Sequence, residues 1–176
     1  MILFDLPIYQ FVMSIFVPST LMTVLMKFIT TLGSTIVLVT GILSVAILIK
    51  NKKYFKIFII ANVVGVILNN VLKLIIRRPR PTETMLLTYE SSYSFPSGHS
   101  MMSMIFYGLI IYYVIKFINK KWLRNSLVTL LSLIIFSVGL SRIYLGVHYA
   151  TDVIAGFIIG AVYLYIFTRI AEKKKA

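Results

Sequence analysis

Five apolar runs, at residues 30–49, 54–72, 98–118, 126–140 and 149–168, punctuate the 176-residue chain, and nothing else in it constrains the fold as much. Most approach the roughly 20 residues that an α-helix needs to cross the hydrocarbon core of a bilayer. Inside lipid each backbone amide and carbonyl needs an internal partner, so runs of this kind must be helical. The expectation is an all-α integral membrane helical bundle of about five transmembrane helices plus an N-terminal interfacial helix. The run at 126–140 is short for a span unless residues 141–145 continue it. A composition that is 59% hydrophobic, with mean hydropathy +0.94, is too apolar for an ordinary soluble domain.

The net charge of +13 could indicate a nucleic-acid binder, but the positions of the charges track topology instead. Lys50, Lys52, Lys53 and Lys56 follow the first run; Lys116, Lys120, Lys121 and Arg124 follow the third; Arg169 and Lys173 to Lys175 follow the fifth. The positive-inside rule puts these three segments, and the C-terminus, on the cytoplasmic side of a multi-pass protein of the cell membrane. No nucleic-acid partner is expected. Lys73, Arg77, Arg78, Arg80 and Arg142 fall at the opposite, extracytoplasmic end, where an anion to be bound would account for them. Zero cysteines exclude disulfides and thiolate chemistry. Asp5, Pro7 and Gln10 interrupt the N-terminus, so no cleavable signal is expected there. Residues 3–27, broken by Pro7 and Pro18, read as an interfacial helix or a pair of short ones rather than a sixth span. The layout expected is one membrane domain over 1–176, with 1–29 interfacial and the chemistry within 73–152.

Polar residues are scarce and clustered. Asn62, Gly65, Asn69 and Lys73 share one face of the second run, which should look into the bundle. Past its end, Lys73, Arg78 and Arg80, stiffened by Pro79 and Pro81, offer ammonium and guanidinium donors of the kind that hold a tetrahedral phosphate. A basic cluster gripping lipid headgroups is the plainer explanation of these residues alone. Pro96-Ser97-Gly98-His99 opens the third run: Ser97 suits an N-cap, Gly98 lets an anion approach the backbone, and His99 stands in the first turn. Ser141-Arg142, His148 and Asp152 form the third cluster. The spacing of four predicts Asp152 one helical turn below His148, fixing its tautomer and leaving the other ring nitrogen free to attack; an Asp152–Arg142 pair would be the purely structural use. Asp152, Gly156 and Gly160 share a face suited to close helix packing, within the chain or between subunits, so the oligomeric state stays open. A polar and aromatic loop, 82–96, with Glu83, Tyr89, Glu90, Tyr93 and Phe95, should overhang the site.

Taken together the clusters read Lys-x6-Arg-Pro, Pro-Ser-Gly-His and Ser-Arg-x5-His-x3-Asp, and in this they resemble the signature of the type 2 phosphatidic acid phosphatase superfamily at all eleven specified positions. The resemblance implies a membrane lipid phosphatase like the small bacterial ones, working without cofactor or metal. It implies that His148 is the nucleophile that becomes phosphohistidine and that Asp152 orients it. His99 would protonate the leaving oxygen and then activate water, while Lys73, Arg80, Ser97, Gly98 and Arg142 hold the phosphoryl oxygens. Asp5, Glu83, Glu90, Asp152 and Glu172 are too scattered in sequence for an obvious magnesium cage. The partners implied are the bilayer and a lipid phosphate: a polyprenyl diphosphate such as the undecaprenyl carrier, or phosphatidate or phosphatidylglycerophosphate. His148 must be neutral to attack while His99 must carry a proton, so a bell-shaped pH profile is expected. A phosphotransferase using the same intermediate, and a non-catalytic lipid-binding or transport protein, remain alternatives.

Overall fold

A computed structural model of the chain describes residues 4–48, 51–82 and 86–173; Lys50, Glu83, Lys174 and Lys175, used in the reading above, lie outside the described residues. Among the described residues seven helices follow in order: α1 (Asp5–Ile15), α2 (Thr20–Thr31), α3 (Thr35–Leu48), α4 (Lys52–Ile76), α5 (Gly98–Phe117), α6 (Lys121–Tyr144) and α7 (Ala150–Lys173). No strand occurs among the described residues. Among them α4, α5, α6 and α7 are long and apolar enough to cross a membrane, and a fifth span is reached if the bent pair α1–α2 counts as one.

Local chemistry sets these boundaries. Asn51 caps α4 by accepting the Lys53 amide at 3.0 Å, and Ser19 caps α2 by accepting that of Met22 at 3.2 Å. α4 stops at Arg77, which enters the left-handed region at φ 50° just ahead of Pro79. Its guanidinium Nε turns back to donate to the Leu74 carbonyl at 2.9 Å. α6 runs through Ser141 and Arg142 to Tyr144, so the short fourth run does become a full span. Its 24 residues reach about 36 Å at 1.5 Å each.

The described part of the segment 3–27, residues 4–27, falls mainly in two short helices, α1 and α2, bent by 119° at their junction. The first apolar run, 30–49, departs from expectation. Its start closes α2, a turn follows at 32–34, and α3 covers only Thr35–Leu48. The physical reason lies at Gly33, where a Cβ would stand 2.6 Å from Val138 Cγ1 and 2.8 Å from Ser103 Oγ. Backbone pressed this closely onto α5 and α6 leaves no room for a straight helix lined with side chains. The Leu32 carbonyl at this turn accepts the Tyr107 hydroxyl at 2.8 Å.

α5 is the axis around which α4, α6 and α7 pack. It buries Met101, Ile105, Phe106 and Leu109, with Phe58 of α4 edge-on to Phe106. The outward faces carry Ile67, Val71, Leu133, Phe136, Ile158 and Val162 in the open, as a helix surface solvated by lipid should. Asn62, Gly65, Asn69 and Lys73 of α4 are all buried, so the polar stripe does face inward. Gly156 and Gly160 are packed within the chain: a Cβ on either would come within 2.9 Å of an α5 carbonyl, that of Ser97 or Met101. At the end of the bundle away from the motif residues, Lys116 pairs with Glu172, which also accepts the Tyr112 hydroxyl.

Candidate active site

Four helix ends and the described parts of one loop meet at the other end of the bundle: the C-termini of α4 and α6, the N-termini of α5 and α7, and residues 77–82 and 86–97. Ser97 caps α5 as expected, accepting the Ser100 amide at 3.4 Å and the Ser100 hydroxyl at 2.9 Å. The Ser97 amide in turn donates to the Asp152 carbonyl at 3.1 Å, tying α5 to α7. A Cβ on Gly98 would sit 3.2 Å from Asn69 Oδ1 and 3.9 Å from Lys73 Cε, so the α5 N-terminus rests directly on the α4 stripe.

Asp152 is fully buried and reaches backward. Its Oδ2 accepts the Tyr149 amide at 3.0 Å, the side-chain half of a capping box, while its own amide donates to the Tyr149 backbone carbonyl at 3.1 Å and closes a tight turn. His148 therefore precedes α7 instead of standing in its first turn, which corrects the expected geometry. The capping turn, not helical stacking, brings Nδ1 to 3.5 Å from Asp152 Oδ2. Ser94 Oγ donates to the same carboxylate oxygen and lies 3.5 Å from Nδ1. The other ring nitrogen, Nε2, faces Arg80 Nη1 at 3.4 Å. These partners favour the tautomer with the proton on Nδ1 and the lone pair on Nε2. Burial pushes the His148 pKa down to about 4, with Asp152 acting upward and Arg142 and Arg80 downward, so the ring is neutral near pH 7.

The cations are held in specific poses. Arg80 donates through Nη1 to the Val147 carbonyl at 2.7 Å and through Nε to the Ser92 carbonyl at 2.7 Å. Arg142, almost entirely buried, donates to Thr30 Oγ1 at 2.9 Å and to Glu90 Oε1 at 2.6 Å. Its Nε finds no protein partner among the described residues. Glu90 Oε2 also stands 4.0 Å from Arg80 Nη2, so one loop carboxylate lies between two guanidinium groups. Lys73 donates to the Tyr93 carbonyl. His99 lies within electrostatic reach of Arg142, His148, Arg80 and Lys73. All eight residues singled out from the sequence, Lys73, Arg80, Ser97, Gly98, His99, Arg142, His148 and Asp152, thus converge in one place. Among the described residues no cluster of three His, Asp or Glu side chains is placed to hold a metal ion.

Arg78 is the residue that goes elsewhere. The sequence groups it with the anion ligands, yet it turns to carboxylates: Nη1 donates to Asp152 Oδ1 at 2.6 Å and Nη2 to Asp5 Oδ2 at 2.8 Å. Asp5 and Ser94 are site residues that sequence reasoning passed over, and Glu90, expected in the overhanging loop, proves to bind Arg142. Only Asp5 gave a signal, because a lone carboxylate in an apolar helix needs a buried partner.

Two hollows adjoin the site. One, about 280 Å³, runs between α3, α4 and α5 and is lined by Leu38, Val39, Val63, Val66 and Met102 together with Asn62, Asn69, Asn70 and His99. The other, about 790 Å³ and open outward, is bordered by Lys73, Arg78, Arg80, Glu90 and Tyr93.

A ring of cations surrounds a histidine–carboxylate pair at one end of a bundle of membrane-spanning length, beside a largely apolar hollow. Residues 54–176 match the PAP2 superfamily, and the chain belongs to that family. It is 41% identical over 112 residues to phosphatidylglycerophosphatase B of Bacillus subtilis (strain 168), covering 62% of this chain and 54% of that relative. It is 29% identical over 108 residues to an undecaprenyl-diphosphatase of Sulfolobus acidocaldarius, covering 58% of this chain and 48% of the relative. The alignments thus span about half the length of these curated relatives. Among solved structures, the transmembrane PAP2 type phosphatidylglycerolphosphate phosphatase from Bacillus subtilis superposes with a TM-score of 0.85 at 30% identity, over 96% of this chain and 85% of that one. Aquifex aeolicus LpxE gives 0.76 at 26% identity, over 94% and 95%.

Proposed function

We propose that this protein hydrolyses the terminal phosphate of a membrane lipid through a phosphohistidine formed on His148. The observation that carries the reading is the pose of that ring: Nδ1 against Asp152, Nε2 turned toward Arg80, and a charge state neutral near pH 7. Nε2 attacks phosphorus and the leaving oxygen takes a proton from His99. Water, deprotonated by His99, then cleaves the N–P bond and frees inorganic phosphate. Arg80, Arg142 and Lys73 neutralise charge that develops on the equatorial oxygens. The Ser97 oxygen already accepts two bonds from Ser100, which leaves its own hydroxyl proton for a phosphoryl oxygen.

The hollow lined by Leu38, Val63, Val66 and His99 suits the first stretch of a lipid tail. The substrates named for the relatives, phosphatidylglycerophosphate and undecaprenyl diphosphate, both pair such a tail with a terminal phosphate. The basic ends of the helices, Lys52, Lys53, Lys120, Lys121 and Lys173, lie opposite the site, which by the positive-inside rule supports an extracytoplasmic site. The test is phosphate release from both lipids in detergent micelles containing EDTA, for wild type and His148→Ala. Release by the wild type and none by the variant is the expected outcome. Release that survives the substitution would remove His148 as nucleophile.

A further inference from the structure

Arg78 lies in the motif loop and borders the basic pocket, but its guanidinium is committed to carboxylates, and its surroundings are as fully built as the site itself. Its guanidinium spans two buried carboxylates from opposite ends of the chain, Asp152 Oδ1 at 2.6 Å and Asp5 Oδ2 at 2.8 Å. It also donates to Thr151 Oγ1 at 2.7 Å and stacks 3.9 Å over the Tyr149 ring. Asp5, in the first turn of α1, accepts the Thr151 amide at 2.9 Å through Oδ1 and the Thr151 hydroxyl at 3.0 Å through Oδ2. Asp5 thereby caps α7 from another helix and satisfies an amide at the start of α7 that the helix cannot bond itself. The Arg78 carbonyl accepts the Ser94 amide at 2.9 Å, and Ser94 donates its hydroxyl to Asp152. Every strong contact that fixes the Asp152 carboxylate therefore leads back to Arg78 or to the α7 capping turn beside it.

We propose that Arg78, anchored by Asp5 of the N-terminal helix, is a positioning residue that sets the orientation and effective charge of Asp152 and through it the reactive tautomer of His148. The proposal rests on His148 being the nucleophile. An Arg bound to both carboxylates holds one Asp152 oxygen and leaves Oδ2 for Ser94, Tyr149 and His148. It also offsets part of the negative charge that the imidazole faces, adding to the downward push that burial already exerts on the ring. The charged and titratable groups around His148 and its carboxylate are Arg142 of α6, His99 of α5, Lys73 of α4, Asp152 of α7, and Arg78, Arg80 and Glu90 of the loop, with Asp5 of α1 behind Arg78. The α1 helix is on this account part of the catalytic support and not merely a membrane appendage.

The chain has two histidines only, so protein labelled with nitrogen-15 in histidine gives two ring systems, assigned with His99→Gln. In detergent micelles, Arg78→Gln is expected to raise the His148 titration midpoint by about one pH unit and to increase the Nε2-protonated tautomer. Arg78→Lys keeps the charge without the fork and should restore the midpoint while kcat stays about tenfold low. In the phosphatase assay Arg78→Gln should lower kcat about a hundredfold with KM and inhibition by inorganic phosphate within twofold, whereas Arg80→Gln weakens phosphate inhibition more than tenfold. Asp5→Asn should lower kcat about tenfold in the wild type and add nothing to Arg78→Gln. Three results each overturn the proposal: phosphate inhibition weakened by Arg78→Gln as by Arg80→Gln, a His148 midpoint and tautomer unmoved by it, or losses from Asp5→Asn and Arg78→Gln that multiply. If the wild type releases no phosphate while the midpoint shifts as described, hydrolysis is the reading that fails and the positioning stands.

Discussion

Substituting Gly156 by Ala tests whether the packing of α7 on α5 sets the geometry of the site. The added Cβ would stand 2.9 Å from the Ser97 carbonyl oxygen and 3.2 Å from the Met101 amide nitrogen, where ordinary contact begins at 3.4 Å. Both neighbours are backbone, so neither can rotate away, and the helices must separate by about half an ångström. Overpacking of this kind costs about 1–3 kcal/mol, against which the better helix propensity of Ala returns about 1 kcal/mol. The net loss of stability is small, but the displacement falls on Ser97, one residue from Gly98 and two from His99. A misplacement of 1 Å at a reacting centre costs about a hundredfold, so half of that should lower kcat about tenfold. Gly108→Ala is the control, since its Cβ would meet the tip of Leu164 at 2.8 Å, a side chain that can turn aside. Phosphate release and thermal unfolding, both in micelles, decide the matter. Full kcat in Gly156→Ala, or an equal loss in Gly108→Ala, would refute the argument.

Two further outcomes follow from the same site. His99→Ala should slow phosphatidate hydrolysis more than prenyl-diphosphate hydrolysis, because an alkoxide needs a proton to leave while a departing phosphate has a second pKa of about 6; equal losses on the two lipids contradict that. With His148 held at about 4 by burial, its neutral form persists well below pH 6.5. Once corrected for ionisation of the substrate phosphate, kcat/KM should then keep its acid limb near pH 4 to 5, and a limb at 6.5 would show that the ring is not desolvated in the free protein.

The inward face of α4 was readable because a buried helix advertises its polar stripe: Asn62, Gly65, Asn69 and Lys73 recur at helical spacing and are all buried. The meeting of the three motifs was likewise visible, since charge placed at membrane level has to be used. What escaped was orientation. Arg78 and Arg80 are the same residue type two positions apart, and no periodicity tells which guanidinium points at the anion site and which at Asp5, 73 residues away. His148 was expected on a helix because a spacing of four is helical, whereas the capping turn achieves the same approach from outside one. The shortening of the first span is a tertiary effect at Gly33, and hydropathy averages over the contact that causes it.

The hollow beside His99 opens between α3 and α4, where Val39, Val63 and Val66 are exposed on faces solvated by lipid, while the basic pocket opens toward water. A catalyst with such a doorway samples its lipid within a plane, and the concentration that governs its turnover is a mole fraction in that plane. Diluting substrate with inert lipid or detergent at constant bulk concentration then slows the reaction, whereas diluting the whole suspension with buffer barely changes it. On the proposed function the phosphate would leave by the aqueous mouth, escape into three dimensions and be lost from the surface, which would give the cycle a direction set by the different dimensionality of its two exits.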